Sequence, residues 1–236
     1  MLQTIADIKL LEPQEGNNWI IDKIKQNKPF VAGRLGLNGA ETCLLGQYLR
    51  GVKEMQPCGD AHHTSGIYPE TPQGLREWAE TYFGALIDMD KGDILASFGS
   101  EAEKFVFSRL SIPVLMKNRA LEPFYFDNPW SSHLRGKTVL IIHPFQASIQ
   151  CQLQRQPRKV LFPNSDVLPD FFVKFVKMPQ ASGTRTPHGS WLETLQYVKT
   201  QIDSQWPFDF VLISFVCTAE EKVGFIWNRQ NCEGAS

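Results

Sequence analysis

The clearest hydrophobic pattern in the chain is the run Thr-Val-Leu-Ile-Ile at residues 138–142, entered through Gly136-Lys137. A short, unbroken, largely β-branched run is how a strand buried on both faces of a parallel sheet reads. The spacing therefore predicts a central strand. His143, Pro144 and Phe145 stand at its carboxyl end, and a helix-compatible segment follows, in which Gln146, Ser148, Gln150, Gln152 and Gln154 interleave with Ala147, Ile149 and Leu153. Proline suits a first helical turn because the N–H it lacks would have no partner there.

The same strand, loop and helix plan recurs upstream. Trp19, Ile20, Ile21 and Ile24 form the buried stripe of a helix expected over residues 17–26, and residues 30–33 read as a strand. A loop from Arg34 to Glu41 then leads into a helix ending near residue 50, with Asn38 as N-cap and Glu41 closing a capping box. Residues 51–68 are irregular. Thr71 and Pro72 open a core helix reaching Met89, with Leu75, Trp78, Ala79, Tyr82, Phe83, Leu86 and Ile87 on its apolar face. Residues 93–98 read as a strand, and Ser100 with Glu103 caps a helix over 101–110.

Pro113, Pro123 and Pro129 break residues 112–130 into loop and short strand. Short strands are expected at 159–162 and 171–176, followed by a loop over 180–189 that carries Arg185 and His188. Ser190 and Glu193 make a third capping box, before a helix with Trp191, Leu195, Val198 and Ile202 facing inward. Residues 208–215 read as a last buried strand, and 219–231 as a terminal helix. Strands alternating with helices argue a single α/β domain over residues 1–236, Rossmann-like, with a mostly parallel sheet flanked by helices.

Composition narrows the function classes. With 236 residues, 42% hydrophobic and 21% charged, the chain can bury a substantial core. The net charge of −1 supplies no basic excess for a nucleic-acid footprint, so no nucleic-acid partner is expected. Five scattered cysteines without a Cys-x-x-Cys pair do not suggest a disulfide scaffold and suit a reducing cytoplasm. No secretion signal is apparent, and the longest apolar stretch, 208–217, is interrupted by Asp209 and too short to span a bilayer. Any membrane association is expected to be peripheral. Oligomeric state stays open, a homo-oligomer included.

The candidate chemistry lies at the carboxyl ends of the two patterned strands, where open α/β sheets bind ligands. There the amides of a first helical turn, the helix dipole and a cationic or imidazole side chain converge, which suits a phosphate or diphosphate. A histidine leaving a core strand is more often a structural residue bonded to nearby backbone. The loop with Cys58, Asp60, His62 and His63 matches no zinc signature.

Several stretches, taken in order, resemble one known family. They are residues 28–36 (Lys-Pro-Phe-Val-Ala-Gly-Arg-Leu-Gly) with Glu41, residues 121–125 (Leu-Glu-Pro-Phe-Tyr), Pro129-Trp130, residues 136–145 (Gly-Lys-Thr-Val-Leu-Ile-Ile-His-Pro-Phe), Leu168-Pro169, Ser190-Trp191 and Phe208-Asp209. Together, over residues 28–214, they resemble the glycosyltransferases of the GT-D fold type. The resemblance implies transfer of a sugar from a nucleotide-diphosphate donor to a glycan acceptor, a cell-surface polysaccharide or glycoprotein, with a divalent cation, Mn or Mg. The matching chemistry assigns donor binding to Arg34, Gly36, Asn38, His143, Pro144 and Phe145, with Gln152 and Arg155 reaching nucleotide or acceptor, and Glu41 as metal ligand. Asp60, Glu70, Asp93 and Glu122 are all available as catalytic base. Gly39 stands where the family often has aspartate, and residues 214–236 lack its closing Gly-rich segments. Both departures support an alternative: a non-catalytic nucleotide-sugar- or glycan-binding protein.

Overall fold

Side chains alternate across a pleated strand, and here that alternation sorts the apolar residues onto two faces of one sheet. The structure, a computed structural model, describes residues 9–36, 39–59, 61–89, 92–111, 114–163, 165–181, 186–213 and 225–228. In chain order the elements are β1 (Lys9–Leu11), α1 (Pro13–Gln26), β2 (Phe30–Arg34), α2 (Ala40–Leu49), α3 (Ala61–Ser65), α4 (Pro72–Ile87), β3 (Ile94–Ser97), α5 (Glu101–Phe107), β4 (Val114–Lys117), β5 (Thr138–His143), α6 (Gln146–Arg155), α7 (Arg158–Leu161), β6 (Phe172–Lys177), α8 (Trp191–Ser204), β7 (Phe210–Ile213) and β8 (Phe225–Asn228). Three 3-10 turns, Asn118–Leu121, Pro123–Tyr125 and Trp130–Leu134, link β4 to β5.

The strand order is β1-β4-β3-β2-β8-β7-β5-β6. Two all-parallel blocks, β1-β4-β3-β2 and β7-β5-β6, are joined by β8, which runs antiparallel to both β2 and β7. This is an α/β architecture flanked by helices and compatible with a Rossmann-like fold. Phe30, Ala32, Ile94, Ala96, Met116, Val139 and Phe210 pack on one face with α1 in a core that runs under both blocks. On the other face Leu95 and Leu115 pack with α2, α4 and α5, while Leu140, Ile142 and Val211 pack with Val198 of α8. The run at 138–142 is a strand as expected, paired on both sides with β6 and β7, but it lies next to the sheet edge instead of at its centre.

Local chemistry fixes the element ends. Glu12 and Glu15 form a capping box with Pro13 in the first turn, so α1 begins earlier than residue 17. Gly16 lies where α1 meets the 118–121 turn: an added Cβ would stand 2.6 Å from Ala120 Cβ. Thr71 and Ser100 cap α4 and α5 as expected. Asp93 accepts the Val31 N–H at 2.6 Å and Asp209 the Thr138 N–H at 2.7 Å, pinning the amino edges of neighbouring strands. The α8 amino end is tied to the first block by Trp191 N–H on Tyr68 O at 2.9 Å and by Tyr68 Oη with Thr194 Oγ1 at 2.6 Å.

Three further expectations are corrected. Residues 158–161 are helical, not a strand, because the Arg158 guanidinium donates to the Pro169 and Phe171 carbonyls and lies over the Phe171 ring, closing the segment on itself. Residues 225–228 are a strand rather than part of a helix, since Phe-Ile-Trp suits an inter-strand gap with ladder partners on both sides. The Pro-broken segment 112–130 is loop and short strand as expected, its strand β4 pairing with β1 and β3. Lastly, Cys43 and Cys58 form a disulfide that ties α2 to the following loop, reinforced by Gln47, which bonds both Gln56 O and Gln56 N–H at 2.9 Å. Disulfides are rare in the cytosol, so cysteine usage no longer argues for a cytoplasmic location. Among the described residues no helix is long and apolar enough to cross a membrane.

Candidate functional site

Because β8 alone is antiparallel, the carboxyl ends of the other strands meet at one edge, bringing Arg34, Ser97, Lys117 and His143 to the same side of the sheet. The cavity found among the described residues is lined by neither Arg34 nor His143. The strand order sets β8 and β7 between β2 and β5, so Arg34 and His143 are about 15 Å apart at three strand spacings. The edge carries two separate constellations.

The first is built on Arg34. Its side chain is 6% exposed and crosses under the end of β3: Nη1 donates to Asn118 Oδ1 at 3.2 Å, and the guanidinium lies 5.1 Å from the centre of the Phe98 ring. Above it opens a cavity of about 360 Å³ lined by Leu10, Ser97, Phe98, Gly99, Lys117, Asn118, Arg119 and Glu122. Asn118 Nδ2 faces Glu122 Oε1 at 3.5 Å, so a polar chain runs from buried Arg34 through Asn118 to the cavity carboxylate. Lys117 pairs with Glu12 at 2.7 Å, and Arg119 lies over the Tyr125 ring at 4.4 Å. Both cations are held at the wall by light, solvent-side contacts.

Glu103 fixes the floor. Only 2% exposed, it accepts the Phe98 and Ser100 N–H groups at 3.1 and 3.0 Å and the Ser97 hydroxyl at 3.2 Å. The carboxylate thus occupies the loop donors that an anion would otherwise claim, which leaves Lys117 and Arg119 as the cavity's positive charge. Glu103→Ala is expected to cost about 1–3 kcal/mol, the range for leaving buried donors unpaired, read as a lower urea midpoint with an unchanged slope.

Glu41 acts in a similar way on the preceding loop. Its carboxylate accepts the Gly36 N–H at 2.5 Å, and a Cβ at Gly36 would fall 2.6 Å from that carboxyl group. Gly36 is therefore needed for close approach, and Glu41 clasps the loop. The N-cap of α2 is Gly39, in the left-handed region at φ 73°, and not Asn38, which lies outside the described residues. Burial, with the Glu41 charge adding to it, pushes the Tyr82 hydroxyl well above its ordinary value.

The second constellation is the His143 turn. The Phe145 N–H donates to His143 Nδ1 at 2.9 Å, and the rings of the two residues lie 5.5 Å apart. Pro144 is buried, Phe145 is 44% exposed as the N-cap of α6, and Gln152 and Arg155 are exposed along that helix. Partial burial lowers the His143 pKa below 6.5, and an Nδ1 already accepting a backbone N–H favours the neutral ring as well. His133 is lowered in the same direction by burial and then by Lys25. A depressed folded pKa means that the unfolded chain binds protons first, so this contribution is intact above pH 6.5 and is lost as pH falls through the folded values. Urea midpoints measured from pH 7.5 to 5 should decline below the ordinary histidine range, and less so in His143→Gln.

Of the carboxylates available as base, Asp93 serves the opposite edge, Glu70 accepts the His62 N–H at 3.1 Å, and Asp60 lies outside the described residues. Glu122 lines the cavity. Cys58 is consumed by its disulfide, and among the described residues no three His, Cys, Asp or Glu side chains gather as metal ligands. Sequence reasoning missed Ser97, Phe98, Lys117, Asn118 and Arg119. The available signal was the apolar run 114–116 ending in Lys-Asn-Arg, a strand terminus opening on two cations. No family model matches the chain, and no curated protein or solved structure matches it.

Proposed function

We propose that the protein is a glycosyltransferase that binds a nucleotide-diphosphate sugar in the cavity beyond β3 and β4 and transfers the sugar to a glycan acceptor. The observation that carries this reading is the cavity itself, with Lys117 and Arg119 on its wall and buried Arg34 behind Asn118 and Phe98. When the glycosidic bond to a diphosphate breaks, the electron pair stays on phosphate oxygen and must be neutralised. Lys117 and Arg119 are placed to do so. Asn118, held by Arg34, offers a polar contact that orients the donor. The ordered resemblance to GT-D glycosyltransferases supports the reaction class.

The divalent cation that the resemblance implies finds a poor donor set at Glu41, because that carboxylate is turned onto the Gly36 amide. One carboxylate already committed to a loop is a weak Mg²⁺ or Mn²⁺ ligand, so charge neutralisation is assigned to the two side-chain cations. The same commitment favours a second reading, a nucleotide-sugar-binding protein without turnover. Calorimetry with UDP, GDP and CDP, with and without Mn²⁺, tests the shared premise: at least one should bind, and failure of all three on folded protein would remove both readings. Sugar release from the corresponding donor separates the enzyme from the binder.

A further inference from the structure

Shortly after the cavity residue Glu122, two aromatic rings stand out of the surface. Phe124 and Tyr125 are 50% and 52% exposed, with ring centres 4.6 Å apart and planes inclined by 44°. They sit on a 3-10 turn opened by Pro123, and the residue that enters that turn, Glu122, is on the cavity wall. Arg119, also on the wall, covers one side of the Tyr125 ring. The aromatic pair and the cavity are thus joined through a carboxylate and a guanidinium.

We infer that Phe124 and Tyr125, with Glu122 close by in the chain and Arg119 over one face of Tyr125, form the acceptor subsite and hold a neutral pyranose ring of the glycan. A hexose presents one face of C–H groups and a rim of hydroxyls. The first lies favourably on an aromatic face. The second needs acceptors and donors nearby, and Glu122 and Arg119 are the polar neighbours of the pair. An unpaired nucleic-acid base would also stack, but the carboxylate and the net charge of −1 disfavour a polyanion. An apolar helix from a partner would desolvate Glu122 and Arg119 without satisfying them. The inference rests on the proposed transferase in one respect: it places the acceptor hydroxyl beside the donor cavity.

Saturation-transfer NMR with methyl β-glucoside, methyl β-galactoside, methyl α-mannoside and methyl β-N-acetylglucosaminide tests it. At least one glycoside should receive saturation on its ring protons, and the signal should fall at least fivefold in Phe124→Ala and in Tyr125→Ala, yet persist in Tyr125→Phe. UDP affinity in Phe124→Ala should stay within twofold of wild type. Absence of transfer to all four glycosides, or transfer unchanged in both alanine variants, overturns the inference. Glycoside binding without any nucleoside diphosphate binding would instead uphold the sugar subsite and remove the donor reading.

Discussion

Arg34→Ala is expected to destabilise the protein by about 2–5 kcal/mol, the range for deleting a large buried side chain. For a chain of this size that lowers Tm by roughly 5–20 °C. The side chain is 6% exposed and spans from β2 to the Asn118 amide and the Phe98 ring, so its loss leaves both a void and an unheld amide under the cavity. Arg34→Lys should recover little, because a single ammonium cannot both stack flat against a ring and donate sideways. Differential scanning calorimetry reads the loss. Donor affinity should fall too, but through the displaced cavity wall, so low temperature should partly restore it.

The double variant Lys117→Ala/Arg119→Ala should behave in the opposite way. Its partners in the free protein, Glu12 and Tyr125, are solvent-exposed, and such contacts contribute about 0–1 kcal/mol each. Tm should therefore move by only a few degrees. UDP affinity, in contrast, should drop about 10- to 100-fold, or roughly 1.4–2.7 kcal/mol, as two cation–phosphate contacts are lost. Raising salt should weaken wild-type binding and leave the variant nearly indifferent, since the screening length shrinks to about 3 Å at 1 M. Isothermal titration at two salt concentrations reads both effects. Equal salt slopes would place the diphosphate elsewhere.

The contrast between these two variants shows what was legible in the sequence. Local periodicity placed β5, the Thr71 and Ser100 caps and the apolar face of α4, because each depends on residues a few positions apart. Arg34 was recognisable as a strand-end cation, but its burial was not, because its partner Asn118 is 84 positions away. The cavity is assembled from three separated segments, and its two cations follow a short strand whose neighbours in the sheet are distant in sequence. Glu41 and Glu103 both looked like capping residues. Only the fold shows that each carboxylate reaches back to the loop amide of the preceding strand, Gly36 in one case and Phe98 in the other. The Nδ1 of His143 accepts the Phe145 N–H of its own turn.

A crystal structure of the protein grown with UDP tests the central claim most directly. The account predicts the diphosphate within hydrogen-bonding distance of Lys117 and Arg119, above Asn118 and beside Phe98. Density for the diphosphate against the His143–Phe145 turn, with the cavity beyond β3 and β4 holding only solvent, would contradict it.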